Sequence, residues 1–168
     1  MSYGSEQAFA DEITATFTDE RYPLGAIRFQ NAVDNKAANS SHIGPKYWVF
    51  VYNDEASTAF AEGDLISIDT GDYAPYHGIV SAAAATVAGA ILGVAGHAIA
   101  AGSYGWIVKQ GVTECKGDGS VAQGDAIVSH TSGRVDTMAD GEEEAVIGVA
   151  LEDDGSAGDL FTCKVFIP

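Results

Sequence analysis

Short apolar runs, separated by polar stretches rich in turn formers, dominate the chain. Ala26-Ile27-Arg28-Phe29-Gln30, Lys46-Tyr47-Trp48-Val49-Phe50-Val51-Tyr52 and Asp64-Leu65-Ile66-Ser67-Ile68 are short enough and rich enough in β-branched and aromatic residues to predict strands. Tyr104 to Cys115 reads as a hairpin turning near Lys109-Gln110-Gly111, and Leu160 to Ile167 reads as a closing strand. Long 3.6-residue periodicity is absent. Strand signals recurring every 8–12 residues or so, with turns between them, predict an all-β fold, either a small β-barrel or a β-sandwich.

Two recurrences support this class. Gly63-Asp64, Gly124-Asp125 and Gly158-Asp159 each precede an apolar strand, a pairing that suits a turn whose Asp bonds the local backbone. Gly93 and Gly148 each sit between apolar residues, which predicts a bend or close approach by a second backbone. The stretch 31–45 collects turn formers and predicts an exposed loop.

Residues 1–22 stand apart from the β-rich domain expected over 23–168, because Tyr22-Pro23-Leu24-Gly25 breaks the chain between them. Phe9, Ile13 and Phe17 recur every four residues, and on a helix capped by Ser5 they would form one apolar stripe. Yet Ile13-Thr14-Ala15-Thr16-Phe17-Thr18 alternates with period two, so an extended arm fits equally well.

Composition narrows the function. With 24 Asp and Glu against 8 Lys and Arg, the net charge is −16, which a phosphate backbone repels; no nucleic-acid partner is expected. Residues 78–101 lack Asp, Glu, Lys and Arg and are long enough to span a bilayer. However, they are mostly small residues, hold His97 and have no flanking basic cluster, so they read as buried strands and no membrane contact is expected. The start carries no secretory signal, which implies synthesis in a reducing cytoplasm and leaves Cys115 and Cys163 as free thiols.

Candidate chemistry is thin. His42, His77, His97 and His130 form no metal-binding spacing, and there is no nucleophile elbow or phosphate loop; neither catalytic residues, nor a metal, nor a cofactor is expected. The acidic runs 140–144, 152–154 and 69–72 do not match a calcium loop and read as solvated turns.

Gly-Asp turns leading into strands, together with Ala100 to Gly111, Val121 to Ile127, Val146 to Glu152 and Gly158 to Phe161, resemble the capsid decoration, or cement, proteins of tailed bacteriophages. Tyr22 to Phe29 and the aromatic run 46–52 extend the resemblance to most of the chain from Tyr22 onward. It implies a β-rich module that docks on the outer surface of an assembled phage head, contacts the major capsid protein, often as a trimer, and stabilises the shell. Under that reading the apolar residues Tyr3, Phe9, Ile13 and Phe17 of the first segment are an anchor for neighbouring subunits or the capsid. The competing class is a carbohydrate- or receptor-binding β-sandwich, such as a head fibre or adhesin, with Tyr73, Tyr76 and Tyr104 as a sugar platform.

Overall fold

Each apolar run noted above becomes a strand. The computed structural model describes residues 11–31, 44–69, 71 and 74–168. Among them, ten strands run in the order β1 Ile27–Gln30, β2 Lys46–Asn53, β3 Leu65–Ile68, β4 His77–Val80, β5 Ile91–Val94, β6 Tyr104–Lys116, β7 Ala126–Ser129, β8 Val135–Thr137, β9 Gly148–Ala150 and β10 Leu160–Phe166.

Five strands close a barrel. β2 pairs with β4 in parallel, and β4 with β3, β3 with β5, β5 with β6 and β6 with β2 pair antiparallel, which returns the ring to its start. β1 extends the sheet beyond β2, and β10-β9-β7-β8 extend it beyond β6 as a four-stranded flap. The all-β expectation therefore holds, with a small barrel as the observed form.

Alternation of side chains divides β2 between two cores. Val49 and Val51 point into the barrel, where they meet Phe60, Ile66, Leu92 and Ile107. Trp48 and Phe50 point outward, and with Trp106 and Val108 they are buried beneath the flap residues Ile127, Phe161 and Val165. The barrel wall is thus covered on both faces from Trp48 to Val51, as the apolar run there requires.

The hairpin expected at residues 104–115 is absent. β6 is one 13-residue strand, and Lys109-Gln110-Gly111 forms a bulge: Tyr47 faces Gln110 while Trp48 faces Val108, so one extra residue enters β6. Gly111 has φ +126°, and a Cβ there would lie 2.8 Å from the Pro45 carbonyl oxygen. A local signal that fits a turn fits a bulge equally well; here β2 and β10 pair with β6 on either side and keep it extended.

Two of the three Gly-Asp turns close through the Asp carboxylate as expected, while Gly158-Asp159 turns through its backbone alone, Asp159 N donating to the Ser156 carbonyl at 2.9 Å. Asp64 Oδ2 accepts from Ala61 N at 2.7 Å, and Asp125 Oδ2 accepts from Ala122 N at 3.0 Å. Close approach at Gly148 is equally clear, since a Cβ there would lie 2.4 Å from the Lys164 carbonyl oxygen on β10. Residues 78–101 provide β4 from Gly78 onward, a 3-10 turn at Ala88–Ala90 and β5, and no helix among the described residues is long and apolar enough to cross a membrane. The loop expected at 31–45 lies mostly outside the described residues.

A second expectation is overturned. Cys115 and Cys163 are bonded as a disulfide with a Cα–Cα distance of 6.4 Å. The antiparallel register sets Phe161 opposite Cys115 and Cys163 opposite Thr113, so the two cysteines are diagonal neighbours on the buried face of β6 and β10. A separation of 48 residues conceals that proximity in the sequence.

Candidate functional site

Two features carry side chains that could act: the seam where the N-terminal segment meets the barrel, and a cluster of ligating groups at the edge of the flap. Residues 11–18 alternate between half-buried and exposed and form no helix: Ala15 N donates to the Glu12 carbonyl at 3.0 Å in a single turn, and the chain pairs as a strand does only at Phe17. Phe17 makes an isolated antiparallel bridge to Tyr104, with each amide donating to the other's carbonyl at 2.9 and 2.8 Å.

Both described members of the apolar set, Ile13 and Phe17, are half-buried against the core beneath the flap. The Phe17 ring lies 6.0 Å from Tyr22 and 6.1 Å from Phe50. Tyr3 and Phe9 lie outside the described residues. Asp11 ties the segment down: its carboxylate accepts from the Tyr22 hydroxyl at 2.6 Å and Arg21 Nε at 3.0 Å, while its carbonyl accepts from Arg28 Nη1 at 2.7 Å. The Tyr22 hydroxyl bond, opposed by partial desolvation and supported by Arg21, holds the Asp11 carboxyl below the usual carboxylate range.

At the flap's edge, Asp118, His130 and Asp136 come from three segments, and one ligating atom of each lies within 4.8 Å of the others. A histidine with two carboxylates is a donor set that a divalent transition metal accepts. The protein's own donors already engage both carboxylates. Asp118 Oδ1 accepts from Ser120 N at 3.0 Å and lies 2.8 Å from Ser120 Oγ; Asp136 Oδ1 accepts from Thr137 N at 2.6 Å and lies 3.1 Å from the same hydroxyl. The cluster includes none of the acidic runs weighed from sequence. Those runs are contiguous, whereas these three side chains converge only because β8 turns back on β7 and Gly117 bridges Val135.

The remaining candidates separate. His77 Nδ1 lies 3.1 Å from Asp54 Oδ2, and His97 is half-buried with its protonated form disfavoured by desolvation. His42 and Tyr73 lie outside the described residues. Tyr104 stacks on Phe50 at 6.0 Å, whereas Tyr76 has φ +62° and packs over Gly25, so these two tyrosines belong to different packing environments.

What this geometry defines is a class: an all-β module, a closed barrel with a flap and a docked N-terminal segment. The pattern of the phage cement protein family matches residues 69–167, which is more than half of the chain. The chain belongs to the phage cement protein family, and with it to the virion-associated structural proteins that decorate the phage head. Among solved structures, the fold is similar to the N base of the head fiber gp8.5 of bacteriophage phi29. That similarity has a TM-score of 0.51 and 17% sequence identity, and covers 70% of this chain and 92% of the other. No curated protein matches the sequence.

Proposed function

We propose that this protein sits on the outer surface of an assembled phage head as a homo-oligomer, a trimer by the family resemblance, binds the major capsid protein and stabilises the shell without catalysing a reaction. The family match over residues 69–167, which spans β4 to β10, carries this reading. A net charge of −16 is consistent with it, because copies crowded on a particle stay soluble through mutual repulsion. Synthesis in the host cytoplasm belongs to the same reading, as does the absence of nucleic-acid and membrane partners.

In this reading the first segment, residues 1–22, is the anchor. Ile13 and Phe17 fasten its second half to the protein's own barrel, and Tyr3 and Phe9 contact the capsid or a neighbouring subunit. The test is co-sedimentation with undecorated heads, with thermal melting alongside. Removal of residues 1–10 is expected to leave the melting temperature unchanged and to abolish co-sedimentation. Phe17→Ala is expected to destabilise the body by about 2 kcal/mol, roughly half the cost of truncating a fully buried Phe, because the ring is only half-buried. Full binding after removal of residues 1–10 would defeat the anchor, and heads that rupture at the same temperature with and without the protein would defeat the stabilising role.

A further inference from the structure

The β6 bulge reverses which residues of that strand face the core. Before it, the even-numbered Trp106 and Val108 are buried beneath the flap; after it, the odd-numbered Cys115 is. Gln110 is therefore turned to the opposite face of the sheet. Register places Phe29 opposite Tyr47, Tyr47 opposite Gln110, and Gln110 opposite Phe166, so these four residues form one row across β1, β2, β6 and β10. Phe29 is 55% exposed, Tyr47 43% and Phe166 48%. The Phe29 and Tyr47 rings are 5.1 Å apart. Ile27, two residues from Phe29, and Leu160, at the far end of β10, share this face. Five of the seven large exposed apolar side chains among the described residues thus lie on one side of one sheet.

Charge is also segregated. β1, β2, β6 and β10 carry five of the chain's eight Lys and Arg but only one of its 24 Asp and Glu, Glu114. Glu114 is close enough to Lys46 to favour that lysine's charged form. These strands are net positive, and all of the chain's net negative charge is carried elsewhere. Two copies repel wherever their acidic surfaces approach within a Debye length, about 8 Å at physiological ionic strength. The aromatic row is where they can meet with apolar burial and the least repulsion.

We infer that this open sheet face, centred on Phe29, Tyr47 and Phe166, is the surface through which copies of the chain associate. The inference rests on the proposed homo-oligomer and assigns it a surface. It also fixes the sign of the salt response: added salt screens like-charged copies and strengthens association, whereas contact with a basic partner would weaken.

The test is analytical ultracentrifugation of the full chain from about 0.05 to 0.5 M NaCl, a range over which screening changes several-fold. Wild type is expected to associate, and more tightly at high salt. Phe29→Ser/Phe166→Ser should weaken association at least about tenfold, as loss of central aromatic anchors does. Val87→Ser removes a side chain that is 53% exposed but lies outside these strands, and it should behave as wild type. The single variant Phe29→Glu, which adds a charge at an exposed position, should give a monomer at low salt and recover in part at high salt; circular dichroism melting checks that each variant is folded. A double variant that associates as tightly as wild type overturns the assigned face while leaving the oligomer standing. A wild type that stays monomeric across the salt range overturns the oligomer and the face together. Variants that keep their oligomeric state but no longer co-sediment with heads would give the face to the capsid, and that outcome also overturns the inference.

Discussion

Reduction of the Cys115–Cys163 disulfide tests the mechanical link between barrel and flap. The bond joins β6 to β10, the strand pairing that continues the sheet from the barrel into the flap, and both half-cystines are fully buried. Its sequence separation is 48 residues, for which the loop-closure relation gives a stabilisation of about 4 kcal/mol. Against a total stability of roughly 5–15 kcal/mol, that is a large share. For a chain of this length, about 2–4 °C of melting temperature is lost per kcal/mol, so breaking the bond should lower melting by roughly 8–16 °C. Burial protects the bond in the folded state, so the sample should be reduced in denaturant and refolded in reducing buffer, then compared with the oxidised protein by differential scanning calorimetry. Cys115→Ala/Cys163→Ala provides a second route to the open form. Intact mass under non-reducing conditions should be two protons below that of the reduced chain. A mass equal to the reduced value, or melting temperatures within about 3 °C of each other, would refute the argument.

Two further predictions follow from single residues. Gly148→Ala should cost at least about 2 kcal/mol in urea unfolding, because the added Cβ meets the β10 backbone rather than a movable side chain; a cost below about 0.5 kcal/mol, typical of a neutral surface change, would mean that β9 and β10 are not packed this closely. Lys46 is buried, and desolvation, partly offset by Glu114 and Glu62, lowers its pKa from 10.5 to about 8. Between those values the unfolded chain binds the proton and the folded chain does not. Stability should therefore rise with pH across this window, by about 3 kcal/mol at most, and Lys46→Met should remove that component of the rise; an identical pH profile in the variant would count against it.

Signals contained within a few residues were legible in the sequence. Gly63-Asp64 and Gly124-Asp125 each close a turn through the Asp carboxylate, an interaction that spans three residues and needs no partner element. The run 46–52 was legible as a strand, and from Trp48 to Val51 as one buried on both faces, since aromatic and β-branched side chains there leave no polar face for water. Features made by distant segments were not legible. The cysteines become neighbours only once β10 has paired with β6, and the Asp118, His130 and Asp136 side chains meet only after β8 has folded back on β7. At the N-terminal segment, the spacing of Ile13 and Phe17 suits a helix and an alternating strand equally; the chain takes a single turn at Glu12 to Ala15 and then bridges from Phe17 to Tyr104, a long-range pairing that local spacing does not encode.

One residue of extra length in β6 ties these observations together. Had alternation run unbroken through Val108, Gln110, Val112, Glu114 and Lys116 would have faced the flap, placing two charged groups and an amide among Phe161, Val165 and Ile127. Burying such groups without partners costs several kcal/mol each. The extra residue instead turns Cys115 inward, where it reaches Cys163, and turns Gln110 outward, where it lies between Tyr47 and Phe166. The bond that holds the flap and the apolar row left open to solvent therefore share one structural cause. Any change that removed the bulge would bury the wrong face of β6 and disrupt both at once.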